Sequence, residues 1–180
     1  HNQVHLNHQK SSKKIFYSVK ATGTNGVWLA DTTTITNNTW THVLISYDRD
    51  LLSTAPVIYI NGLLQSVSVS SAPTGSILSN FDREVYISYA PTSFNGKITD
   101  FRVYNGDNIT GTVAALASAL YAAGSNASGN TDGLVFQAFA VLGAGRARYD
   151  GLTLTEDDKV LDNVGGAVGT PYGGPISTIV

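Results

Sequence analysis

The chain has no cysteine, no methionine and little charge. Charged residues make up 13% of it, where a soluble domain averages about 25%. Without cysteine, disulfide and thiolate chemistry are excluded and no redox compartment is indicated. A net charge of −2 leaves no basic stripe, so nucleic acid is not an expected partner. No apolar run approaches the ~20 residues that a membrane helix needs, and no signal-peptide pattern is present; membrane insertion is not expected. The missing methionine, with His1 first, reads as a processed form or as the ordered part of something longer.

Ser, Thr, Asn and Gly take the place of the charges, as on a polar but uncharged β surface. At 180 residues the length is that of one domain able to bury a sizeable core. The organising stretch runs from Trp40 to Leu64. Val43, Ile45 and Tyr47 share one parity, and Trp40 and Leu44 the other, so this strand is expected to be central and covered on both sides. Val57 to Ile60 then reaches Asn61-Gly62, a pair that favours the two φ > 0 positions of a tight hairpin.

Around this stretch the alternation of Ile15, Tyr17 and Val19 predicts a strand over 15–20, and Val27 to Ala30 its hairpin partner. Residues 1–12 carry three histidines and no periodicity, and read as an arm. Val67 and Val69 alternate with serines, and Val85, Ile87 and Tyr89 with Tyr86 and Ser88, giving two further strands. Between 97 and 104, Ile98 and Phe101 fall on opposite parities, which implies a bulge or two covered faces. Val113, Leu116, Leu120 and Tyr121 follow helical spacing, with Thr112 to cap the start and Gly124 the end. Leu134 to Leu142 reads as an apolar strand. Thr155 to Asp162 reads as a short helix opened by a Thr155/Asp158 capping box. No charge follows Asp162, so that tail is expected to dock on its own domain or on a neighbour. The pattern predicts an all-β fold, an antiparallel two-sheet sandwich with one short helix, over 13–142, with a C-terminal extension over 143–180.

Three ordered motifs carry a resemblance. Asn38-Thr-Trp40-Thr-His42-Val-Leu-Ile-Ser-Tyr47-Asp48 is followed by Ile58-Tyr-Ile-Asn61-Gly62. Then comes Phe94-Asn-Gly96-Lys-Ile98-Thr-Asp100-Phe-Arg-Val-Tyr104-Asn105. Together they resemble the laminin-G-like branch of the concanavalin A-like lectin/glucanase jelly rolls, over roughly Ile15 to Ala123. The resemblance implies a concanavalin A-like jelly roll with a short helix after the last motif. The family's opening strands are not found ahead of Ile15. They are expected either upstream of His1 or replaced by Leu134 to Leu142 and a partner. Beyond Ser125 the wording is faintly similar to bacteriophage structural proteins.

Glycoside hydrolysis needs two carboxyls about 5–10 Å apart, which the glucanase members set as Glu-x-Asp-x-Glu. Here the two glutamates, Glu84 and Glu156, lie far apart in sequence, and no nucleophile elbow or zinc-protease motif occurs. No catalytic residue is assigned. Lectin-like sandwiches often bind Ca2+ through loop oxygens, for which Asp48, Asp50, Asp107 and Asn108 are the candidates; the plainer reading makes them solvated loop acids and turn formers. Glycan recognition asks for exposed aromatics beside amides and carboxylates. The candidates are Tyr47, Asp50, Tyr89, Phe94 and Asn95. His42, on an apolar strand, is expected to be structural.

The function expected from these readings is a non-catalytic, glycan-recognising module on a virion or extracellular surface. The alternative is an assembly subunit without a ligand. Other subunits of a larger assembly, as in a homo-oligomer, are the expected protein partners.

Overall fold

The computed structural model describes residues 4–9, 12–31, 35–78, 98–124, 132–138, 160–161 and 168–169. The chain falls into two compact units, His1–Tyr86 and Ile87–Val180, each described by itself. The first holds two antiparallel sheets. One has the order β1 (Val4–Gln9), β2 (Lys14–Val19), β3 (Gly26–Ala30), β7 (Val67–Ser71). The other has the order β4 (Val43–Ser46), β5 (Val57–Ile60), β6 (Leu63–Leu64).

Strict alternation builds the first sheet. Ile15, Tyr17 and Val19 are buried along β2, and Gly26, Trp28 and Ala30 along β3. Tyr17 lies opposite Trp28, and Val19 opposite Gly26. A Cβ at Gly26 would run into the ring of Trp28, so glycine makes room for the indole. Ile15 and Ala30 from this sheet meet Ile58 and Ile60 from β5, with Val43, Ile45 and Val67 packed around them. A second cluster, of Tyr17, Val19 and Trp28, takes in Ile45 and Tyr47. Side chains from both sheets therefore fill one core, as the two-sheet sandwich predicts. Each large side chain buried there contributes about 1.5–3 kcal/mol.

Among the described residues the central strand of the second sheet is β5, where β4 was expected. Ile58 and Ile60 are buried on one face and Tyr59 on the other, whereas every residue of β4 is half-buried. Apolar residues on both parities marked the pair of strands without showing which one lay inside. The Asn61-Gly62 hairpin forms as expected, with φ of 51° and 75°. Its return strand is only two residues long, because the chain changes sheets at Gln65-Ser66. Gln65 is buried and donates its N–H to the Ile58 carbonyl (2.8 Å), while the next carbonyl, of Ser66, accepts from Asp31 N (2.8 Å). Neighbouring residues thus bond to opposite sheets, and β7 pairs with β3. Val69, read as core-facing, is 56% exposed.

The segment read as an N-terminal arm contains β1, in register with β2 from Val4 opposite Val19 to Gln9 opposite Lys14. An edge strand needs only backbone partners, so its polar sequence hid it.

In the second unit, β8 (Phe101–Tyr104) pairs with β9 (Leu134–Ala138). The irregularity implied by Ile98 and Phe101 is present: Asp100, between them, has φ 50°. A 3-10 turn (Gly106–Asn108) leads to α1 (Val113–Ala123), capped by Thr112, whose Oγ1 accepts from Ala115 N (3.2 Å), and by Gly124 at φ 74°. Its buried residues are Ala117 and Leu120, and Tyr121, assigned to the same face, is half exposed. Val160–Leu161 pairs antiparallel with Val168–Gly169 as β10 and β11, where the end of a helix was expected; the rest of that expected helix, 155–159 with its capping box, lies outside the described residues. The expected strand at 85–89 lies outside the described residues. No described helix is long and apolar enough to cross a membrane.

Candidate functional site

Strand β4 delivers a different surface at each end. After Ser46 the chain enters a loop held at three points. The Tyr47 hydroxyl donates to the Leu52 carbonyl (3.2 Å), Asp50 N donates to Asp48 Oδ1 (2.9 Å) in an Asx-turn, and Arg49 Nη2 donates to the Leu78 carbonyl (3.0 Å). The Leu78 segment is itself fastened to the turn after β2, through Thr22 N to the Ser76 carbonyl (2.9 Å), Thr74 N to the Thr24 carbonyl (3.0 Å) and Leu78 N to the Lys20 carbonyl (3.1 Å). Asp48, Arg49 and Asp50 are exposed on this anchored loop.

Tyr47 is placed differently from a stacking platform. Its ring packs 5.4 Å from that of Trp28 and 5.6 Å from that of Tyr17, centroid to centroid. Burial, then the charge of Asp48, raises its hydroxyl above the ordinary tyrosine value, with Arg49 opposing. Tyr47 thus joins the core to the loop, and Asp50 is the expected ligand residue that the loop presents. Tyr89, Phe94 and Asn95 lie outside the described residues.

The other end of β4 carries a residue the sequence reading had covered by the sheet. Trp40 precedes the strand and is 61% exposed, against 1% for Trp28. No charged residue stands between Asp31 and Asp48, and the neighbours of Trp40 in the chain are Thr36, Asn37, Asn38, Thr39 and Thr41. Asn38, at φ 59°, turns the chain there. The Thr39 and Thr41 hydroxyls reach the Asn37 and Thr39 carbonyls only at 3.5 Å, too far for strong bonds, and stay able to serve a ligand. The base of this loop is fixed. Asn61 accepts His42 N at Oδ1 (2.9 Å) and returns its own N–H to the His42 carbonyl (2.9 Å). The absence of charge around Trp40 was visible in the sequence; its exposure was not, because parity placed it on a strand that begins three residues later.

Of the calcium candidates, Asp48 and Asp50 belong to the first unit, and Asp107 and Asn108 to the second. Asp107 is exposed and donates its N–H to Asn105 Oδ1 (3.3 Å). Among the described residues no three histidine, aspartate or glutamate side chains converge.

The best-formed polar cluster lies on β8. Arg102 donates from Nε and Nη2 to the two Asp100 oxygens (2.8 and 3.0 Å) and from Nη1 to the Tyr104 hydroxyl (3.3 Å). The pair is buried, with side chains 5% and 12% exposed. Burial works against the guanidinium charge, yet the bonds to Asp100 and Tyr104 outweigh it and hold Arg102 above the ordinary arginine value. Arg102 and Tyr104, alternate residues of β8, share a face, Asp100 joins them from just before the strand, and this triad fastens the chain as it enters β8.

A laminin-G family model, described as the concanavalin A-like lectin/glucanases superfamily, matches residues 1–110. The match takes in all three motifs and also β1, ahead of Ile15. Comparison with curated proteins and with solved structures yields no match.

Proposed function

The chain belongs to the concanavalin A-like lectin/glucanases superfamily, and on that premise we propose that it is a non-catalytic glycan-recognising module displayed on a virion or cell surface. The superfamily supports a carbohydrate-binding or structural module. The observation that carries recognition is Trp40. An indole 61% exposed on an anchored, uncharged loop matches the chemistry of a pyranose. The apolar C–H face of the sugar stacks on the ring, and the Asn and Thr groups beside it exchange hydrogen bonds with the hydroxyls. The Asp48–Asp50 loop offers carboxylates at the other end of β4 and is the secondary contact in this reading.

A glycan array probed with the wild type and with Trp40→Ala, in calcium and in chelator, tests the proposal. The wild type should bind neutral glycans, and the variant should lose about 1–3 kcal/mol of that binding, the size of the loss when an aromatic ring stacked on a nucleic-acid base is removed. An array on which the wild type binds nothing, or the variant binds equally, contradicts it. Signal lost in chelator would implicate the loop carboxylates in holding Ca2+.

One observation favours the ligand-free assembly reading. Leu63 and Leu64 are 69% and 63% exposed on β6, which among the described residues pairs with β5 alone. An apolar, uncharged strand edge is a template for another chain. Light scattering decides: assembly abolished by Leu63→Lys supports this reading, and a monomer at every concentration removes it.

A further inference from the structure

Four Asn-Gly dipeptides occur: Asn25-Gly26, Asn61-Gly62, Asn95-Gly96 and Asn105-Gly106. In this dipeptide the unhindered glycine nitrogen can attack the asparagine side-chain carbonyl. Three of the pairs are described, and they sit in very different surroundings.

At Asn61 the side-chain oxygen is committed to His42 N (2.9 Å), its own N–H to the His42 carbonyl (2.9 Å), and Gly62 completes the tight turn between β5 and β6. Swinging that peptide plane would pull the turn off the start of β4. At Asn25 the side-chain oxygen accepts from Ala21 N (3.3 Å) and the backbone oxygen accepts from Ser71 Oγ (2.9 Å). Gly26 is buried under Trp28 and paired with Val19. Neither site can bring nitrogen and carbonyl together without opening a sheet.

Asn105-Gly106 is different. Both residues are exposed, and nothing lies within 4 Å of where a Gly106 Cβ would be. Among the described residues the side-chain oxygen of Asn105 is held by Asp107 N (3.3 Å) and the Gly106 carbonyl by Ile109 N (3.3 Å), both within the same short turn. The bond from Asn105 N to the Gly133 carbonyl (2.7 Å) lies on the side of the residue that need not move.

We propose that Asn105 is a site of spontaneous covalent modification, the first of the three described Asn-Gly pairs to deamidate through a cyclic imide. A base removes the Gly106 amide proton, the nitrogen bonds to Asn105 Cγ, and the Cγ–Nδ2 bond breaks with loss of ammonia. Water then opens the ring. Cleavage at Cγ leaves aspartate, and cleavage at the backbone carbonyl leaves isoaspartate, with the main chain one atom longer. Either product adds one negative charge, two residues from Asp107. An aspartate caps a helical turn as well as asparagine does, so that product keeps the turn and changes only the surface charge.

The test is peptide mapping by mass spectrometry of the full folded chain held in warm, mildly alkaline buffer, beside the same chain in urea. In the folded chain Asn105 should convert faster than Asn25 and Asn61 by tenfold or more, on the order of the factor that one part-buried hydrogen bond supplies; in urea the three rates should converge. Gly106→Ala, which has open space for its methyl group, should fold normally and slow the reaction at Asn105. Conversion of Asn25 or Asn61 as fast as Asn105 in the folded chain would overturn the proposal. So would an intact Asn105 over the time in which the urea-treated chain converts.

Discussion

Asp100 sits at φ 50°, a conformation that costs most L-residues about 1–2 kcal/mol and aspartate or asparagine less. Its bidentate pair with Arg102 offsets that cost and fixes the direction in which the chain enters β8. Arg102→Met should therefore lower stability by about 3–5 kcal/mol, because the Asp100 charge stays buried without its counter-ion. Asp100→Asn should cost less than Asp100→Ala, since asparagine tolerates the left-handed region and alanine does not. Urea unfolding of the three variants checks the order, and equal losses for Asn and Ala would show that backbone strain plays no part. Asp100, Arg102 and Tyr104 stood in the third motif, but strand period gives a common face only to Arg102 and Tyr104, because Asp100 precedes β8. The positive φ at Asp100 showed only as a break in parity between Ile98 and Phe101. Trp40 was misplaced for a related reason: parity assigns a face only where a strand exists.

Elements whose signals are local could be read from the sequence. The Asn61-Gly62 hairpin, the β2–β3 pair and the caps of α1 depend on residues within a few positions of one another, and each forms where expected. Elements set by partners distant in sequence could not be read: polar β1 exists because β2 offers it an edge to pair with, and β6 is only two residues long because the chain leaves its sheet at Gln65. The clamp between Asn61 and His42 combines both kinds. Asn61→Ala removes an acceptor from the part-buried His42 N–H and strains the φ 51° position, and should cost about 2–3 kcal/mol. Asn61→Gly restores the turn without the acceptor and should recover part of the loss. Thermal unfolding of the pair checks this, and a glycine variant no better than alanine would assign the whole effect to the hydrogen bond.

Across the first unit the two sheets meet on an aromatic cluster whose protonation couples to folding. Burial raises the Tyr17 hydroxyl far above its ordinary value, helped by Tyr47 and opposed by Arg49, and Tyr47 shifts the same way. Unfolded, both ionise at about 10. Above that pH the unfolded chain has released protons that the folded chain still holds, so stability falls as pH rises; the contribution is complete below it. On alkaline titration the part of the tyrosinate absorbance that Tyr17→Phe removes should therefore appear together with the loss of far-ultraviolet circular dichroism. Tyr17 ionising at its ordinary value in a folded chain would contradict the packing. The architecture, two antiparallel sheets around one core, was readable from alternation.

Presentation of one indole outside a core built on the other is the premise of the glycan reading, and acrylamide quenching of the two tryptophans, Trp28 and Trp40, tests it most directly. Two populations should appear, one shielded and one accessible, and Trp40→Phe should abolish the accessible one alone. A single shielded population in the wild type, or an accessible fraction that survives Trp40→Phe, would contradict it.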